Sequence, residues 1–314
     1  MDQTAFIFPG QGSQYVGMGK DLCENFKVAR ETFEEADDAI KAGISSLCFE
    51  GPEEELKLTE NTQPAVLTVS VSALRVLQSE TGLSPMLLAG HSLGEYSALV
   101  AGGALDFSDG VKAVRARGQF MQEAVPVGEG AIGAVLGLDE EGVRAVCDEA
   151  AQGEVLTPAN YNCPGQIVIS GHAGAVTRAL ALAKEKGAKR AIPLPVSAPV
   201  HSPLMASAGE RLKEVLDGIS IRDLDVPVVA NVNAQPNQSR ERIVDLLIQQ
   251  MCAPVRWEES VRTMVSREVR TFLEVGPGRV LLGMMKRMNG GMCLSNVEDT
   301  ESLKKTKSIV EGAG

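Results

Sequence analysis

The sequence predicts an α/β fold in which a large domain with a mainly parallel sheet carries a smaller inserted subdomain. Three observations predict this fold class. Short apolar runs typical of strands alternate with helical patterns along the 314 residues, as βα units require. A serine flanked by glycines lies between one such run and a helical run. An internal segment, from about 128 to 195, follows a strand and helix order of its own.

The elements of the large domain follow from hydrophobic periodicity. Apolar runs predict strands at Ala5–Phe8, Met86–Ala89, Val226–Asn231 and Thr271–Val275. Amphipathic runs predict helices at Val28–Ala42, Ala65–Thr81, Glu95–Gly102, Ser108–Ala124, Pro203–Leu216 and Arg240–Met251. As a chain end, the tail after about Asp299 is predicted to be loosely held.

The internal segment has the βαββαβ order of a ferredoxin-like unit. Its predicted elements are strand Ala131–Leu136, helix Asp139–Ala151, strands Val155–Asn160 and Gln166–Ser170, helix Ala173–Lys186 and strand Arg190–Leu194. Glycines precede the segment and prolines follow it. We therefore predict a ferredoxin-like subdomain at 128–196 and a large α/β catalytic domain formed by 1–127 and 197–314. A cleft between them is the expected substrate site.

Composition excludes several classes of function. The formal net charge of −11 argues against a nucleic-acid partner. No apolar run has the length of a membrane span, and a strand-like run follows Met1-Asp2-Gln3 where a secretory leader would stand. We therefore expect a cytoplasmic protein. The six cysteines lack metal-ligand spacing and the three histidines are dispersed, so we expect no metal.

The pentapeptide Gly90-His91-Ser92-Leu93-Gly94 fits the G-x-S-x-G pattern of a nucleophile elbow. A predicted strand precedes it and a predicted helix follows, so the Ser92 hydroxyl should be exposed at a helix N-terminus. Backbone N–H groups and the helix dipole then lie where an oxyanion forms. The pattern predicts acyl chemistry through a covalent serine intermediate. An ordinary strand-to-helix turn is the alternative.

Three histidines are candidates for the base that the serine needs. His91 adjoins Ser92 in the elbow, so its side chain should point away from that of Ser92. His172 follows a predicted strand at a helix start, where a solvent-facing or capping role is expected. His201 lies on an irregular segment where the chain returns to the large domain, and such loops often carry catalytic residues. His201 is the preferred base, with a structural histidine as the alternative.

Two further features can bind an anion. The glycine-rich loop Phe8–Gln14 lacks the third glycine of a dinucleotide fingerprint, because that position is Tyr15. Its backbone N–H groups can still bind an anion, with a bare βα turn as the alternative. Arg117 shares an apolar helix face with Val114 and Met121, where a charge is costly unless it is paired. Its partner is either a substrate carboxylate or a distant Asp or Glu in a buried ion pair.

Taken together, these segments resemble the malonyl-CoA:acyl carrier protein transacylases, the stand-alone acyltransferases of bacterial-type fatty acid synthesis. The matches run in family order over nearly the whole chain: Phe8–Gln14, Thr62–Ala65, Gly90–Glu95, the Arg117 helix, Asn162–Gln166, Val196–Ser202, Gln250 with Pro254–Trp257, and Glu274–Gly278. The resemblance implies an α/β-hydrolase-like large domain. Val200 departs from related polyketide acyltransferases, which carry Phe or Ser there in motifs linked to malonyl or methylmalonyl preference.

The resemblance implies a role for each matched residue. Ser92 would be the nucleophile and His201 its base and then acid, oriented by the backbone carbonyl of Gln250. Arg117 would bind the free malonyl carboxylate. The backbone N–H groups of Gln11 and Leu93 would form the oxyanion hole. Three further polar residues would lie near the site: Gln63, Asn162 and Gln166.

The implied reaction is a ping-pong transfer from malonyl-CoA to the phosphopantetheine thiol of acyl carrier protein, without a cofactor and in a monomer. Acyl carrier proteins are acidic, as is this chain, so docking requires a local basic patch. We predict it at Lys189, Arg190, Lys286 and Arg287, with scattered solvated charges as the alternative. A serine esterase or thioesterase of α/β-hydrolase type and a non-catalytic carrier-protein-binding module are the competing functions.

Overall fold

A computed structural model describes residues 3–195, 198–288 and 291–312. Its strands form two separate sheets. In chain order the strands are β1 (Thr4–Phe8), β2 (Leu87–Gly90), β3 (Gly130–Leu136), β4 (Leu156–Cys163), β5 (Gln166–His172), β6 (Arg190–Pro193), β7 (Val228–Val229), β8 (Pro236–Asn237), β9 (Thr271–Val275) and β10 (Cys293–Val297).

The larger sheet has the order β10–β9–β1–β2–β7–β8. Its pairs are parallel except for β7 with β8. All of β1 and β2 is buried, which explains why these strands are continuous apolar runs. Because β1 and β2 are parallel neighbours, the loops after Phe8 and Gly90 leave the same edge of the sheet. These two loops carry the glycine-rich segment and the elbow.

Helices alternate with the strands along the chain. In chain order they are α1 (Lys20–Asn25), α2 (Lys27–Ile40), α3 (Ile44–Glu50), α4 (Glu53–Leu56), α5 (Thr59–Thr81), α6 (Gly94–Ala101), α7 (Phe107–Glu123), α8 (Glu140–Ala151), α9 (Ala173–Glu185), α10 (Ala206–Asp217), α11 (Ile243–Cys252), α12 (Trp257–Ser266), α13 (Val280–Met285) and α14 (Thr300–Gly312). Short 3₁₀ turns at Pro203–Met205 and Arg240–Arg242 lead into α10 and α11. Within the described ranges, no helix has the length and apolarity needed to cross a membrane.

The smaller sheet is antiparallel, with the order β4–β5–β3–β6. With α8 and α9 it has the βαββαβ order and the strand arrangement of a ferredoxin-like unit. It has its own apolar core, which includes Val135, Val146, Ile169 and Val176. All of it falls within the segment predicted as the subdomain, 128–196. Residues 196 and 197, at its predicted exit, lie outside the described residues, and the domain boundaries stay predictions.

The predicted fold class is confirmed: the protein is mixed α/β, with a mainly parallel sheet and a separate small antiparallel one. Two element predictions need correction. The strand expected at Val226–Asn231 is only Val228–Val229. The helix expected from Ala65 begins at Thr59 and includes Pro64, which cannot donate to the carbonyl one turn before it.

The prediction of a loosely held tail after Asp299 is wrong. Helix α14 packs on β10, and Leu303 and Thr306 are buried. Ser295 Oγ and Thr306 Oγ1 are 2.7 Å apart, and the Thr300 N–H donates to Asp21 Oδ2 over 2.6 Å. The last strand and helix are therefore part of the large-domain structure.

Candidate active site

The elbow positions Ser92 between β2 and α6. Ser92 has a positive φ of 52°, a left-handed conformation that is rare for a residue with a side chain. Both flanking glycines are required sterically, because a Cβ at Gly90 would overlap the Gly94 carbonyl and a Cβ at Gly94 would overlap the Phe8 carbonyl. The turn thus aims the hydroxyl of Ser92 away from the sheet at the N-terminus of α6.

Among the three histidines, the structure brings His201 to Ser92. His201 Nε2 lies 2.8 Å from Ser92 Oγ, and His201 Nδ1 lies 2.7 Å from the backbone oxygen of Gln250. Because a carbonyl can only accept, Nδ1 carries the hydrogen and Nε2 is free to accept one. Burial and then the charge of Arg117 lower the pKa of His201 to about 3. The imidazole is therefore neutral near pH 7, as a base must be.

Arg117, 1% exposed, points its guanidinium at the elbow from α7. Nη1 donates to Gln63 Oε1 (2.7 Å), and Nη2 donates to Gln250 Oε1 (3.0 Å) and to Ser92 Oγ (3.1 Å). Burial lowers the pKa of the guanidinium, which nevertheless stays protonated. All three acceptors are neutral. Of the two alternatives that the sequence left open, the direct ion pair is absent among the described residues, and the guanidinium is available to a ligand carboxylate.

The amides of Gln11 and Leu93 lie on adjoining loops. Gln11 follows β1 and Leu93 is the N-cap residue of α6. The loops are joined by a 3.0 Å hydrogen bond from the His91 N–H to the Phe8 carbonyl. The backbone N–H groups of Gln11 and Leu93 donate no hydrogen bond to any residue that the structure describes. Two such donors beside a serine can bind a developing oxyanion.

Two of the polar residues expected near the site also contact it. Gln63 binds Arg117, and its Nε2 donates to Thr59 Oγ1 over 3.0 Å. Asn162 Oδ1 lies 2.8 Å from Nε2 of His91, so His91 pairs with β4 rather than with Ser92. His172 is the N-cap residue of α9, at the helix start where it was expected, and is half-buried. Its side chain does not cap the helix, because Nδ1 accepts the Val155 N–H over 3.0 Å instead.

Gln166 and the four predicted docking residues form no hydrogen bond with Ser92, His201 or Arg117 among the described residues. Leu136 pairs with both Gln166 and Arg190, so these two lie about two strand spacings, or ~10 Å, apart across the small sheet. Arg287 Nη1 donates to Gln166 Oε1 over 3.0 Å. Lys189 and Lys286, next in sequence to the two arginines, are exposed as well. The structure thus groups the four cations at one end of this sheet.

Sequence reasoning missed two residues of the site, Glu95 and Asn231. Asn231 Oδ1 accepts the Ser92 N–H and its Nδ2 donates to the Gly90 carbonyl, both over 2.7 Å. Glu95 is buried beneath the elbow and binds Gln250. For Asn231, its place in the sequence could have indicated a role in the site. Asn231 follows a strand next to β2, at the sheet edge where such folds bind ligands.

The arrangement of nucleophile, base, oxyanion donors and buried guanidinium suits transfer of an acyl group. No group of three or more His, Cys, Asp or Glu in the described ranges is placed to hold a metal ion. A family model described as "Acyl transferase domain" matches residues 5–304. The class of protein that fold and site define is therefore that of the acyltransferases.

Individual relatives narrow the class. The malonyl CoA-acyl carrier protein transacylase of Bacillus subtilis is 52% identical over 305 residues, covering 97% of this chain and 96% of that protein. An acyl carrier protein S-malonyltransferase structure from Vibrio cholerae has a TM-score of 0.94 at 46% identity, covering 97% of this chain and 99% of that one. The chain belongs to the malonyl CoA-acyl carrier protein transacylase family.

One structural neighbour was solved with its partner. It is a malonyl-transacylase in complex with a type II polyketide synthase acyl-carrier protein. Its TM-score is 0.96 at 46% sequence identity, and the match covers 98% of this chain and 99% of the neighbour. The similarity therefore extends over both sheets and includes the small subdomain.

Proposed function

We propose that the protein transfers a malonyl group from malonyl-CoA to the phosphopantetheine thiol of an acyl carrier protein through a malonyl-Ser92 intermediate. The observation that carries the proposal is the buried guanidinium of Arg117, whose Nη2 lies 3.1 Å from Ser92 Oγ. A cation at that distance from the nucleophile selects an acyl group that ends in a carboxylate. The names of the relatives support the same donor and acceptor.

In the first half-reaction we assign Ser92 as nucleophile and His201 as base. His201 Nε2 takes the hydroxyl proton as Ser92 Oγ attacks the thioester carbon. The amides of Gln11 and Leu93 stabilise the oxyanion, where one such donor contributes about 3 kcal/mol. When the carbonyl re-forms, the C–S bond breaks and the CoA thiol leaves with the proton from His201. The malonyl ester of Ser92 remains.

In the second half-reaction the carrier thiol attacks that ester. His201 takes the thiol proton and returns it to Ser92 Oγ as the ester bond breaks, so the enzyme is regenerated and no cofactor is needed.

Water competes with the carrier thiol for the malonyl ester of Ser92. Arg117 limits this loss by holding the malonyl carboxylate, and Gln63 in turn holds Arg117 through a 2.7 Å hydrogen bond. Asn162 holds His91, the neighbour of Ser92 in the elbow, through a 2.8 Å hydrogen bond.

The acceptor is proposed to dock on the basic patch of Lys189, Arg190, Lys286 and Arg287. All four are exposed, and none forms an ion pair with a described residue. A local positive surface compensates for the net charge of −11, which otherwise repels an acidic carrier. The neighbour solved with an acyl-carrier protein supports this class of partner.

With all site groups on one chain, we propose a cytoplasmic monomer that supplies extender units for fatty acid synthesis.

Intact-mass measurement after mixing with malonyl-CoA tests the proposal. We expect one malonyl adduct on Ser92, none on a Ser92→Ala variant, and discharge of the adduct by holo acyl carrier protein. Absence of an adduct indicates a binding module instead. Release of free malonate at the same rate with and without carrier protein indicates an esterase.

A further inference from the structure

Glu95 is a buried carboxylate that the mechanism above does not use. It lies in the first turn of α6, three residues after the nucleophile, and is 3% exposed. Its Oε2 accepts from Gln250 Nε2 over 2.7 Å and from the backbone N–H of Asn231 over 3.1 Å. Both donors also contact Ser92: Asn231 Oδ1 accepts the Ser92 N–H, and Gln250 Nε2 donates to the Ser92 carbonyl over 3.1 Å.

The side-chain amide of Gln250 stands between Glu95 and Arg117. A guanidinium only donates hydrogen bonds, so the atom of the amide that faces Arg117 must be the oxygen. An ionised carboxylate only accepts, so the atom that faces Glu95 must be the nitrogen. The observed distances, 3.0 Å to Arg117 and 2.7 Å to Glu95, fit this single orientation. A flipped amide would set N–H against guanidinium and oxygen against carboxylate.

We propose that Glu95 is a positioning residue for malonyl transfer: through Gln250 and Asn231 it fixes the guanidinium of Arg117 relative to the nucleophile. The inference rests on the proposed function, because the benefit falls on an acyl group that uses Arg117. Glu95 also supplies the negative charge that the direct contacts of Arg117 lack. Glu95 lies on the far side of the Gln250 amide from Arg117. It therefore does not occupy the side of the guanidinium that faces Ser92, where the substrate carboxylate would bind.

The surroundings of Glu95 make its charge sensitive to pH. The charged group that acts on it is Arg117 of α7, and the adjacent titratable side chain on α6 is Tyr96. On its other side lies a small cavity lined mainly by apolar residues such as Leu99, Val228 and Leu247. Burial raises the pKa of Glu95 to about 7, against the lowering effects of Gln250, Asn231 and Arg117. Protonation near neutral pH weakens the acceptor that orients Gln250.

The first test uses the wild-type protein alone. The rates of Ser92 acylation by malonyl-CoA and by acetyl-CoA are measured from about pH 6 to about pH 8.5. We expect the malonyl-to-acetyl ratio to rise severalfold as pH increases through about 7. The CoA phosphates and His201 are common to both donors, so their titration cancels in the ratio. A flat ratio overturns the inference, whereas absence of malonyl transfer at every pH overturns the proposed function instead.

The second test compares two isosteric variants. Glu95→Gln should lower the malonyl-to-acetyl ratio about tenfold at pH 8, since the side-chain oxygen still accepts from Gln250 but no longer carries a charge, and should remove its pH dependence. Glu274→Gln is the matched control: Glu274 is also buried with a pKa raised by burial to about 7, but it accepts the N–H groups of Leu281 and Leu282. The control should keep the ratio and its pH dependence. Equal losses in malonyl and acetyl transfer by Glu95→Gln would show a merely structural role.

Discussion

At the residue scale, the site depends on one buried positive charge surrounded by neutral oxygens. Arg117 donates to Gln63, Gln250 and Ser92. These amide and hydroxyl acceptors take hydrogen bonds from Nη1 and Nη2 without neutralising the charge, and the buried Nε has no partner among the described residues. A malonyl carboxylate can therefore gain a charge-assisted interaction there, whereas an acetyl group cannot.

Replacing Arg117 by Ala should reduce malonyl transfer far more than acetyl transfer. The loss of hydrogen bonds to a charged group corresponds to about 3 kcal/mol, or roughly a hundredfold in kcat/KM for malonyl-CoA. The measurement is a transfer assay with both acyl-CoA donors. Lys112→Ala, an exposed position on the same helix, is the control and should change neither rate. Equal losses with both donors would exclude the carboxylate-binding role.

The protonation state of His201 gives a second prediction at this scale. Burial and the charge of Arg117 lower its pKa to about 3, so the ring should stay neutral, with its hydrogen on Nδ1, from about pH 5 to about pH 8. Nuclear magnetic resonance of the imidazole nitrogens checks this, with His201→Ala for assignment. Conversion of this ring to imidazolium anywhere in that range would contradict the prediction.

The sequence predicts those site residues that stand out from their immediate neighbours in the chain. Ser92 is marked by its glycines, and Arg117 by a charge on an apolar face. Asn231 and Glu95 act only through distant contacts: Asn231 is 139 positions from Ser92, and Glu95 is 155 positions from its partner Gln250. Local spacing carries no information about such contacts. The position of Asn231 after a strand places it near the site, but its partners, and those of Glu95, could not be predicted from the sequence.

At the scale of elements, the pair α5 and α7 sets the position of Arg117. Gln63 of α5 binds Arg117 of α7, and the next residue, Gly118, lies where the helices approach most closely. A Cβ at Gly118 would stand 2.6 Å from Glu60 Cα and 2.7 Å from the Thr59 carbonyl oxygen. The glycine therefore permits the spacing at which the hydrogen bond between Gln63 and Arg117 forms.

Gly118→Ala should separate these two helices. We expect a loss of about 1–3 kcal/mol in the free energy of unfolding, as for other overpacked contacts, and a fall in malonyl transfer as the Gln63 contact with Arg117 lengthens. Denaturant unfolding and the transfer assay measure the two effects. Gly283→Ala is the control: it lies in α13, no atom stands within 4 Å of its added Cβ, and it should stabilise the protein slightly. Unchanged stability and activity in the Gly118 variant would refute the spacing argument.

Elements with strong periodicity were predicted well, and those that depend on tertiary pairing were not. The predicted strand Thr271–Val275 has the same limits in the structure. Phe272, Leu273 and Val275 give it the apolar character of a buried parallel strand, which the single carboxylate Glu274 does not obscure. Strand β10 (Cys293–Val297) has a mixed composition and is specified by its pairing with β9. Helix α14 is likewise held by packing on β10, which a chain-end argument does not consider.

At the scale of the whole molecule, the acidic chain and the acidic carrier protein proposed as its partner should repel each other. The chain has a formal net charge of −11, while the four proposed docking cations lie together at one end of the small sheet. Long-range repulsion and local attraction then act in opposite directions. Docking should depend on the local patch and weaken with salt.

Reversing Lys286 and Arg287 to Glu should raise the KM for carrier protein severalfold and leave the KM for malonyl-CoA near its wild-type value. Local repulsion replaces attraction at the docking surface, as is common for charged interface residues. Steady-state kinetics with each substrate varied measures both constants. Reversing Lys304 and Lys305, exposed on α14, alters the net charge equally and should have little effect. A KM for carrier protein that is the same in both double variants would remove the patch from the docking surface.

The strand order of the larger sheet has a consequence for the synthesis of the chain on the ribosome. Strand β1 emerges long before its neighbour β9, since Ala5 pairs with Phe272. The smaller sheet, by contrast, has all its strands once Pro193 has emerged. Long-range pairing is slow and leaves strand edges open in the meantime. The nascent chain therefore completes the small subdomain first, and exposes one edge of β1 to aggregation until β9 (Thr271–Val275) has emerged.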